Sequence, residues 1–267
     1  MTPSQGRPRL VATDLDGTLL DSWGELSEPT RSVLDRLDDA GIPLVVVTAR
    51  PLRWMTELWP VVGRHGVGIV SNGAIVYDVA EERIDELEGI EVEAGLAMVA
   101  AIRAGLPGAV FAFELVAGFA HEPAYDEPHH VPDGSPSGPA EEVLTDTAVK
   151  VLVKAPGTPP AALREAVAAA VGDTATATWS VDGLVEVSAP GVTKAAALAR
   201  VCDRLGIDAG DVIAFGDMPN DLPMLAWAGT SYAVANAHPS VRDAADHVAP
   251  SNDDDGVATV LAGIFDL

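Results

Sequence analysis

The chain has 267 residues, 48% of them apolar, and a formal net charge of −24. That is long enough for one large or two modest domains with a full core, and too apolar for a disordered chain. So acidic a surface argues against nucleic acid or an anionic membrane as a partner. It also repels phosphate esters at long range, so any site for such an ester needs a strong local cation. The single cysteine, Cys202, excludes an internal disulfide and reads as a buried, inert thiol inside a helix. Met1–Leu10 is polar and proline-bearing, with no apolar signal region. Ala94–Ala120 is apolar but interrupted by Arg103, Pro107 and Glu114, which disqualifies it as a membrane span. A cytoplasmic location is the default expectation.

In chain order, the apolar run ending in Asp14 is a buried parallel strand, and Asp16, Gly17 and Thr18 form a tight polar turn after it. Ser27 caps a helix carrying Val33, Leu34, Leu37 and Ala40, which Gly41 ends. Pro43–Val47 is a second strand. A helix with Leu52, Met55, Leu58 and Val62 on one face follows, and then a third strand at Val67–Val70. This alternation predicts a parallel sheet with right-handed crossovers. At Ala74–Tyr77 the pattern changes, and Glu81-Glu82-Arg83 marks a turn or hairpin. Residues 82–187 read as a second, α+β domain inserted between core segments 1–81 and 188–267. Its helices lie near Val92–Ala104 and Pro159–Val171. Its strands lie near Ala109–Ala117, Ala148–Ala155, Thr174–Ser180 and Leu184–Ser188, with Phe111, Phe113 and Leu115 as one buried face. His121–Pro139, rich in proline, histidine and glycine, reads as a long surface loop. Thr193 then caps a helix with Leu198, Val201, Cys202 and Leu205 inward, and Asp211–Phe215 is a strand leading into Gly216 and Asp217. Asn220–Ala228 and Pro239–Ala245 read as short helices, Ser231–Val234 and His247–Ala249 as short strands, and Gly256–Ile264 as the last helix.

Three of these strands therefore finish in oxygen-bearing side chains: Asp14, Thr48 and Asp217. In an open parallel sheet, ligands sit outside the carboxyl ends of the strands. Oxygens gathered there suit a hard divalent cation and a phosphoryl group. The chain has thirteen arginines but only three lysines. Two lysines, Lys150 and Lys154, fall in one expected strand. Lys194 stands alone at a helix start, where a compact ammonium fits better than a guanidinium fork.

These segments resemble, in order, the four motifs of the haloacid dehalogenase-like hydrolases: Asp14-Leu15-Asp16-Gly17-Thr18, Thr48, Lys194, and Gly216-Asp217-Met218-Pro219-Asn220-Asp221. Ser71-Asn72-Gly73-Ala74 resembles the segment before the large (type IIB) cap of the Cof-type branch. The resemblance covers nearly the whole chain. It implies a doubly wound, mainly parallel, Rossmann-like α/β core with an inserted α+β cap, and a Mg²⁺-dependent phosphatase of small phosphorylated metabolites, sugar phosphates foremost. It makes Asp14 the nucleophile, ionised without help from a base. Asp16 becomes the general acid and then base, a role that a partly desolvated turn would favour. Mg²⁺ would be held by Asp14, Asp217 and the Asp16 backbone carbonyl, with Asp221 behind them or as an alternative ligand. Thr48, Ala49, Lys194 and Asn220 would surround the phosphate, Thr48 by its hydroxyl and Lys194 by its charge. Ala49 stands where the family usually has glycine and adds a methyl to the pocket.

Several positions carry two readings. Thr18 is structural or catalytic; Arg50 reaches a substrate phosphate or pairs with a core acid; Asn72-Gly73 lines the pocket or forms an ordinary turn. Asn220-Asp221 caps a helix as well as serving the site. Trp54 and Trp59 read as packing on a core helix. Other motifs fail. There is no Walker sequence, and Ser71 stands where the dinucleotide fingerprint after Gly66 and Gly68 wants glycine. His121, His129 and His130 lack the partners of a zinc site. Two rivals remain: a phosphomutase, and a non-catalytic protein that binds a phospho-ligand.

Overall fold

In the computed structural model, residues 6–116, 118–126 and 131–267 are described, so His129 and His130 of the expected loop lie outside the described residues. In chain order the elements are β1 (Leu10–Thr13), an irregular helical turn (Leu15–Leu19), α1 (Glu28–Asp39), β2 (Leu44–Val47), α2 (Trp59–Val62), β3 (Val67–Val70), β4 (Ile75–Asp78) and β5 (Arg83–Leu87). Then come α3 (Val92–Gly105), β6 (Val110–Leu115), β7 (Gly118–His121), α4 (Ala140–Val143), β8 (Ala148–Lys154), α5 (Pro160–Val171), β9 (Thr176–Thr178) and β10 (Val185–Ser188). The chain closes with α6 (Lys194–Leu205), β11 (Val212–Gly216), α7 (Leu222–Trp227), β12 (Thr230–Val234), α8 (Pro239–Ala244), β13 (His247–Ala249) and α9 (Gly256–Phe265).

Two compact units result. One comprises Met1–Arg50, Trp54–Glu86 and Thr193–Leu267, the other Pro51–Arg53 and Leu87–Val192. The first unit is built on an eight-stranded sheet of order β13-β12-β11-β1-β2-β3-β4-β5. The six strands from β13 to β3 run parallel, and β4 returns antiparallel to β3. β1, β2 and β11 are buried along their whole length, which is why they read as unbroken apolar runs. Helices α1, α2 and α9 pack together, as do α6, α7 and α8, covering the two faces of a doubly wound α/β fold. Strand order reverses between β1 and β11, whose registers match Leu10 to Val212 and Thr13 to Phe215. That reversal opens a crevice at the strands' carboxyl ends.

Local chemistry explains most boundaries. Ser27 Oγ accepts from Thr30 N, and Gly41 takes φ +71° to leave α1. Thr193 Oγ1 accepts from Ala196 N, and Gly206 at φ +64° closes α6 with Ile207 N bonded to Cys202 O. Cys202 is fully buried, and desolvation, with Asp203 adding to it, pushes its thiol up to about 12. Two expectations fail here. Leu205 is 45% exposed, in the last turn of α6 beyond the face that Leu198, Val201 and Cys202 bury. The helix expected over Leu52–Val62 is broken into a short helical turn, Leu52–Trp54, and the four-residue α2. Pro60 has no N–H to continue a helix from the preceding turn. Trp59 instead lies flat on Tyr77, with ring centroids 4.8 Å apart, and fills the space above Gly68.

The second unit is an antiparallel sheet, β7-β6-β8-β10-β9, with α3 and α5 packed together and on it. Register puts Phe111, Phe113, Val151, Val153, Val185 and Val187 on one face, all buried. Each buried aromatic contributes roughly 1.5–3 kcal/mol. The opposite face carries charge. Glu114 lies across from Lys150, Lys150 Nζ is 2.5 Å from Glu186 Oε1, and Arg53 grips Glu114 with Nε and Nη2 at 3.1 and 2.7 Å. β7 and α4 had no counterpart in the sequence reading; both are four residues long.

Candidate active site

The site is assembled at the β1/β11 crevice of the first unit. β1 hands directly into Asp14, whose N–H continues the ladder to Phe215 O at 3.1 Å. The chain then turns sharply: Asp16 is extended, with φ −69° and ψ 122°, and Gly17 sits at φ +73°. A Cβ at Gly17 would come within 2.6 Å of Asp217 Oδ2, so glycine is needed both for the conformation and for the approach. Thr18 Oγ1 donates to Asp217 Oδ1 at 3.0 Å, so this hydroxyl orients a carboxylate of the fourth motif.

Lys194, at the first position of α6, is 1% exposed. Its Nζ lies 2.8 Å from Asp14 Oδ1 and 2.7 Å from Asp221 Oδ1. The other Asp221 oxygen, Oδ2, accepts the N–H groups of Asp217 and Met218, each at 3.0 Å. Both Asp221 oxygens are thus engaged by donors. Its carboxylate anchors Lys194 and folds the loop around Asp217, leaving Asp14 and Asp217 as the freer oxygens. Among the described residues, carboxylate oxygens of Asp14, Asp217 and Asp221 come within 4.8 Å of one another.

Three buried carboxylates against one ammonium leave an excess of negative charge. Burial above all, then the Asp221 and Asp217 charges, holds the Asp14 carboxyl well above its usual range, although Lys194 pulls it down. Burial and Asp221 likewise raise Asp217 to about 6. Burial alone would lower the Lys194 ammonium, but Asp14 and Asp221 outweigh it and raise it. The donor set is all oxygen, buried and under-neutralised, which fits a hard divalent cation such as Mg²⁺.

Around this centre stand the other expected residues. Thr48 ends β2, fully buried, with its Oγ1 accepting from Arg50 N at 3.0 Å. Ala49 beside it is half-buried. Asn72 N donates to Thr48 O at 3.0 Å, and Ser71 N to Arg50 O at 2.9 Å, lacing the loop after β3 to the loop after β2. Ser71, Asn72 and Gly73 take successive positive φ values of 51°, 58° and 106°. Asn72 and Gly73 are the central pair of an Asn-Gly turn, closed by Ala74 N to Ser71 O at 3.3 Å between antiparallel β3 and β4, so the turn reading holds; Ser71, at φ 51°, is the strained residue before it. Asn220 Nδ2 donates to Asn72 Oδ1 at 3.2 Å, bringing the third-strand loop to the fourth motif. Asn220 Oδ1 and Ser71 Oγ are buried with no hydrogen-bond partner among the described residues.

Asp16 departs from expectation. Its side chain is 55% exposed rather than desolvated, and Arg50 clasps it with Nε to Oδ2 at 2.8 Å and Nη2 to Oδ1 at 2.5 Å. That bond, more than any other influence, raises the Arg50 guanidinium. Arg50 thus pairs with an acid of the site itself. Two site carbonyls are held from the loop after β12: Asn236 Nδ2 donates to Gly17 O at 2.7 Å, and His238 N to Asp217 O at 2.8 Å. Neither contact had a sequence signal, since a lone polar loop residue has no period or spacing.

A family model described as haloacid dehalogenase-like hydrolase matches residues 11–261. The chain belongs to the haloacid dehalogenase-like hydrolases, and to their Cof-type branch. It is 32% identical over 257 residues to a phosphoglycolate phosphatase of Halorubrum lacusprofundi, covering 95% of this chain and 96% of the relative. It is 28% identical to the 5-amino-6-(5-phospho-D-ribitylamino)uracil phosphatase YitU of Bacillus subtilis, covering 98% and 99%. The crystal structure of SMU.1108c from Streptococcus mutans superposes with a TM-score of 0.85 at 25% identity, covering 97% of this chain and all of that one. Within this haloacid dehalogenase-like hydrolase, the residues of all four motifs lie in the first unit, on loops that follow β1, β2 and β11 and at the start of α6.

Proposed function

We propose that this chain is a Mg²⁺-dependent phosphatase that hydrolyses monoesters of small phosphorylated metabolites in the cytoplasm by way of an aspartyl-phosphate on Asp14. The observation that carries this reading is Lys194 bridging Asp14 and Asp221 within a buried group of three carboxylates at the strand-order reversal. In the first half-reaction a carboxylate oxygen of Asp14 forms a bond to phosphorus while the ester P–O bond breaks, and Asp16 gives its proton to the departing oxygen. In the second, Asp16 takes a proton from water, the water oxygen bonds to phosphorus, the bond to Asp14 breaks, and inorganic phosphate leaves. Lys194 neutralises charge on the transferring group, and Thr48 and Asn220 donate to its oxygens. Asp14, Asp217 and the Asp16 carbonyl would hold Mg²⁺, which supplies the positive charge that lets a carboxylate meet a phosphate.

In this reading the cap insertion that selects the substrate is the second unit's stretch Leu87–Val192 rather than the expected 82–187, because β5 (Arg83–Leu87) pairs into the first unit's sheet. The relatives named above take leaving groups as different as glycolate and a ribitylaminouracil. That spread supports a small, hydroxyl-bearing phosphomonoester, sugar phosphates foremost. The test is hydrolysis of p-nitrophenyl phosphate and of a metabolite panel with and without Mg²⁺, by the wild type and by Asp14→Asn. Turnover surviving in the folded variant overturns the nucleophile. An isomeric phosphate ester in place of free phosphate favours a phosphomutase, and no turnover of any ester favours a phospho-ligand-binding protein.

A further inference from the structure

The turn that carries Asp16 takes its shape from outside itself. At its entrance Asp14 N is bonded to Phe215 O, and across it runs the bond from Leu20 N to Leu15 O at 2.9 Å. Its interior is not helical at Asp16 or Gly17, so the directions of its peptide planes depend on what holds their carbonyls. Two asparagines do so. Asn236 Nδ2 donates to Gly17 O at 2.7 Å, and Asn252 Nδ2, from a buried residue, donates to Leu20 O at 2.9 Å. The two are coupled, since Asn252 N donates to Asn236 Oδ1 at 3.1 Å and Ser251 Oγ reaches the same oxygen at 3.4 Å. The loop bearing Asn236 is tied from behind by Arg242 Nη1, which donates to Ala235 O at 2.8 Å. Two residues further on, His238 N holds Asp217 O. Residues 235–238 therefore grip both the turn of the first motif and the loop of the fourth.

We propose that Asn236 is a positioning residue for Asp16. Its amide fixes the Gly17 carbonyl, one residue beyond the acid–base group. Releasing that carbonyl frees the peptides on either side to rotate and carries Asp16 off the line of proton transfer. Asn236 is exposed, so its side chain adds little to the core, and its donor is spent on this one carbonyl. A displacement of about 1 Å at a reacting group costs on the order of a hundredfold in rate. The inference rests on the reading of Asp16 as the general acid.

Leaving-group dependence tests it. An alkyl phosphate such as glycerol 2-phosphate needs a proton on its departing oxygen, whereas p-nitrophenolate leaves without one. kcat/KM reports the steps through transfer to Asp14. Asn236→Ala is expected to lose about tenfold or more in kcat/KM on the alkyl ester and less than about threefold on p-nitrophenyl phosphate. In the metal-free protein the same variant should speed amide hydrogen exchange across residues 15–20 while leaving exchange in β11 unchanged. Should the alanine variant not fold, Asn236→Ser, too short to reach Gly17 O, is read in the same way. Equal losses on both esters, no loss on either, or unchanged exchange across residues 15–20 overturns the proposal. A wild type inert toward both esters overturns the functional reading and this inference with it, whereas an active wild type with equal losses in the variant overturns the inference alone.

Discussion

The molecule buries lysine in two places, and the two differ in what surrounds the ammonium. In the second unit Lys150 faces Glu186 at 2.5 Å, Ser180 Oγ donates to the other Glu186 oxygen, and neighbouring Glu114 has Arg53 as its own partner. Two cations, Lys150 and Arg53, there face two carboxylates, Glu186 and Glu114. In the first unit Lys194 is shared by Asp14 and Asp221, with Asp217 beside them, and a single ammonium meets three carboxylates. A matched pair needs nothing more from outside; an unmatched group is stable only with a further cation or with protons. The contrast separates a balanced cluster on a sheet face from a group left with excess negative charge.

The comparison breaks most visibly at the two lysines. Lys194→Met should cost at least about a thousandfold in kcat, because in the proposed mechanism it removes the charge set against the phosphoryl oxygens. Lys150→Met should leave the chemistry of the first unit intact but cost about 3–5 kcal/mol in unfolding free energy, since the buried Glu186 carboxylate then loses the Lys150 ammonium. Chemical denaturation measures that loss, and Mg²⁺ should not restore it. Replacing both members, Lys150→Met with Glu186→Leu, should recover most of it.

Next in size is a pH effect of opposite sign to that of ordinary carboxylates. Asp217 is raised from 3.8 to about 6 by burial and by Asp221, and Asp14 is raised in the same direction. A group raised above its unfolded value lends stability below about pH 4 and loses it as pH climbs through about 6. The metal-free protein should therefore melt lower at pH 7.5 than at pH 5. Mg²⁺ should raise the melting temperature more at pH 7.5, and an equal rise at both values would count against the unmatched group as the cause. Gly17→Ala forces a side chain onto φ +73° and against Asp217 Oδ2. It should cost about 1–3 kcal/mol by thermal unfolding and weaken Mg²⁺ dependence along with it. Smallest is Arg50→Gln: its pair with the half-exposed Asp16 is worth no more than about 1 kcal/mol to stability. Any larger change should appear in kcat rather than in the melting temperature.

What could be read from the chain follows the same division. Strands β1, β2 and β11 are buried on both faces, so each is an unbroken apolar run whose polar end is conspicuous, and Asp14, Thr48 and Asp217 were legible for that reason. Lys194 was legible because lysine is scarce here. The break at Pro60 was written in the sequence too, but apolar spacing at Leu52, Met55, Leu58 and Val62 outweighed it. The Arg50–Asp16 clasp, the saturation of Asp221 and the grip of Asn236 on Gly17 join residues 34, 27 and 219 positions from their partners. Long-range polar bonds of that kind leave no periodic trace.

The pairing of β1 with β11 has a bearing on how the protein is made. Strands β1 to β5 leave the ribosome before β11 and lie side by side in the finished sheet, yet β1 stays an open edge until residues 212–216 have been synthesised. From the completion of β5 at Leu87 until Val212 the nascent polypeptide thus displays an unpaired, largely apolar edge of the sort that invites intermolecular pairing. Chains cut short before β11 should be prone to aggregate rather than merely inactive, and their yield should depend on chaperones.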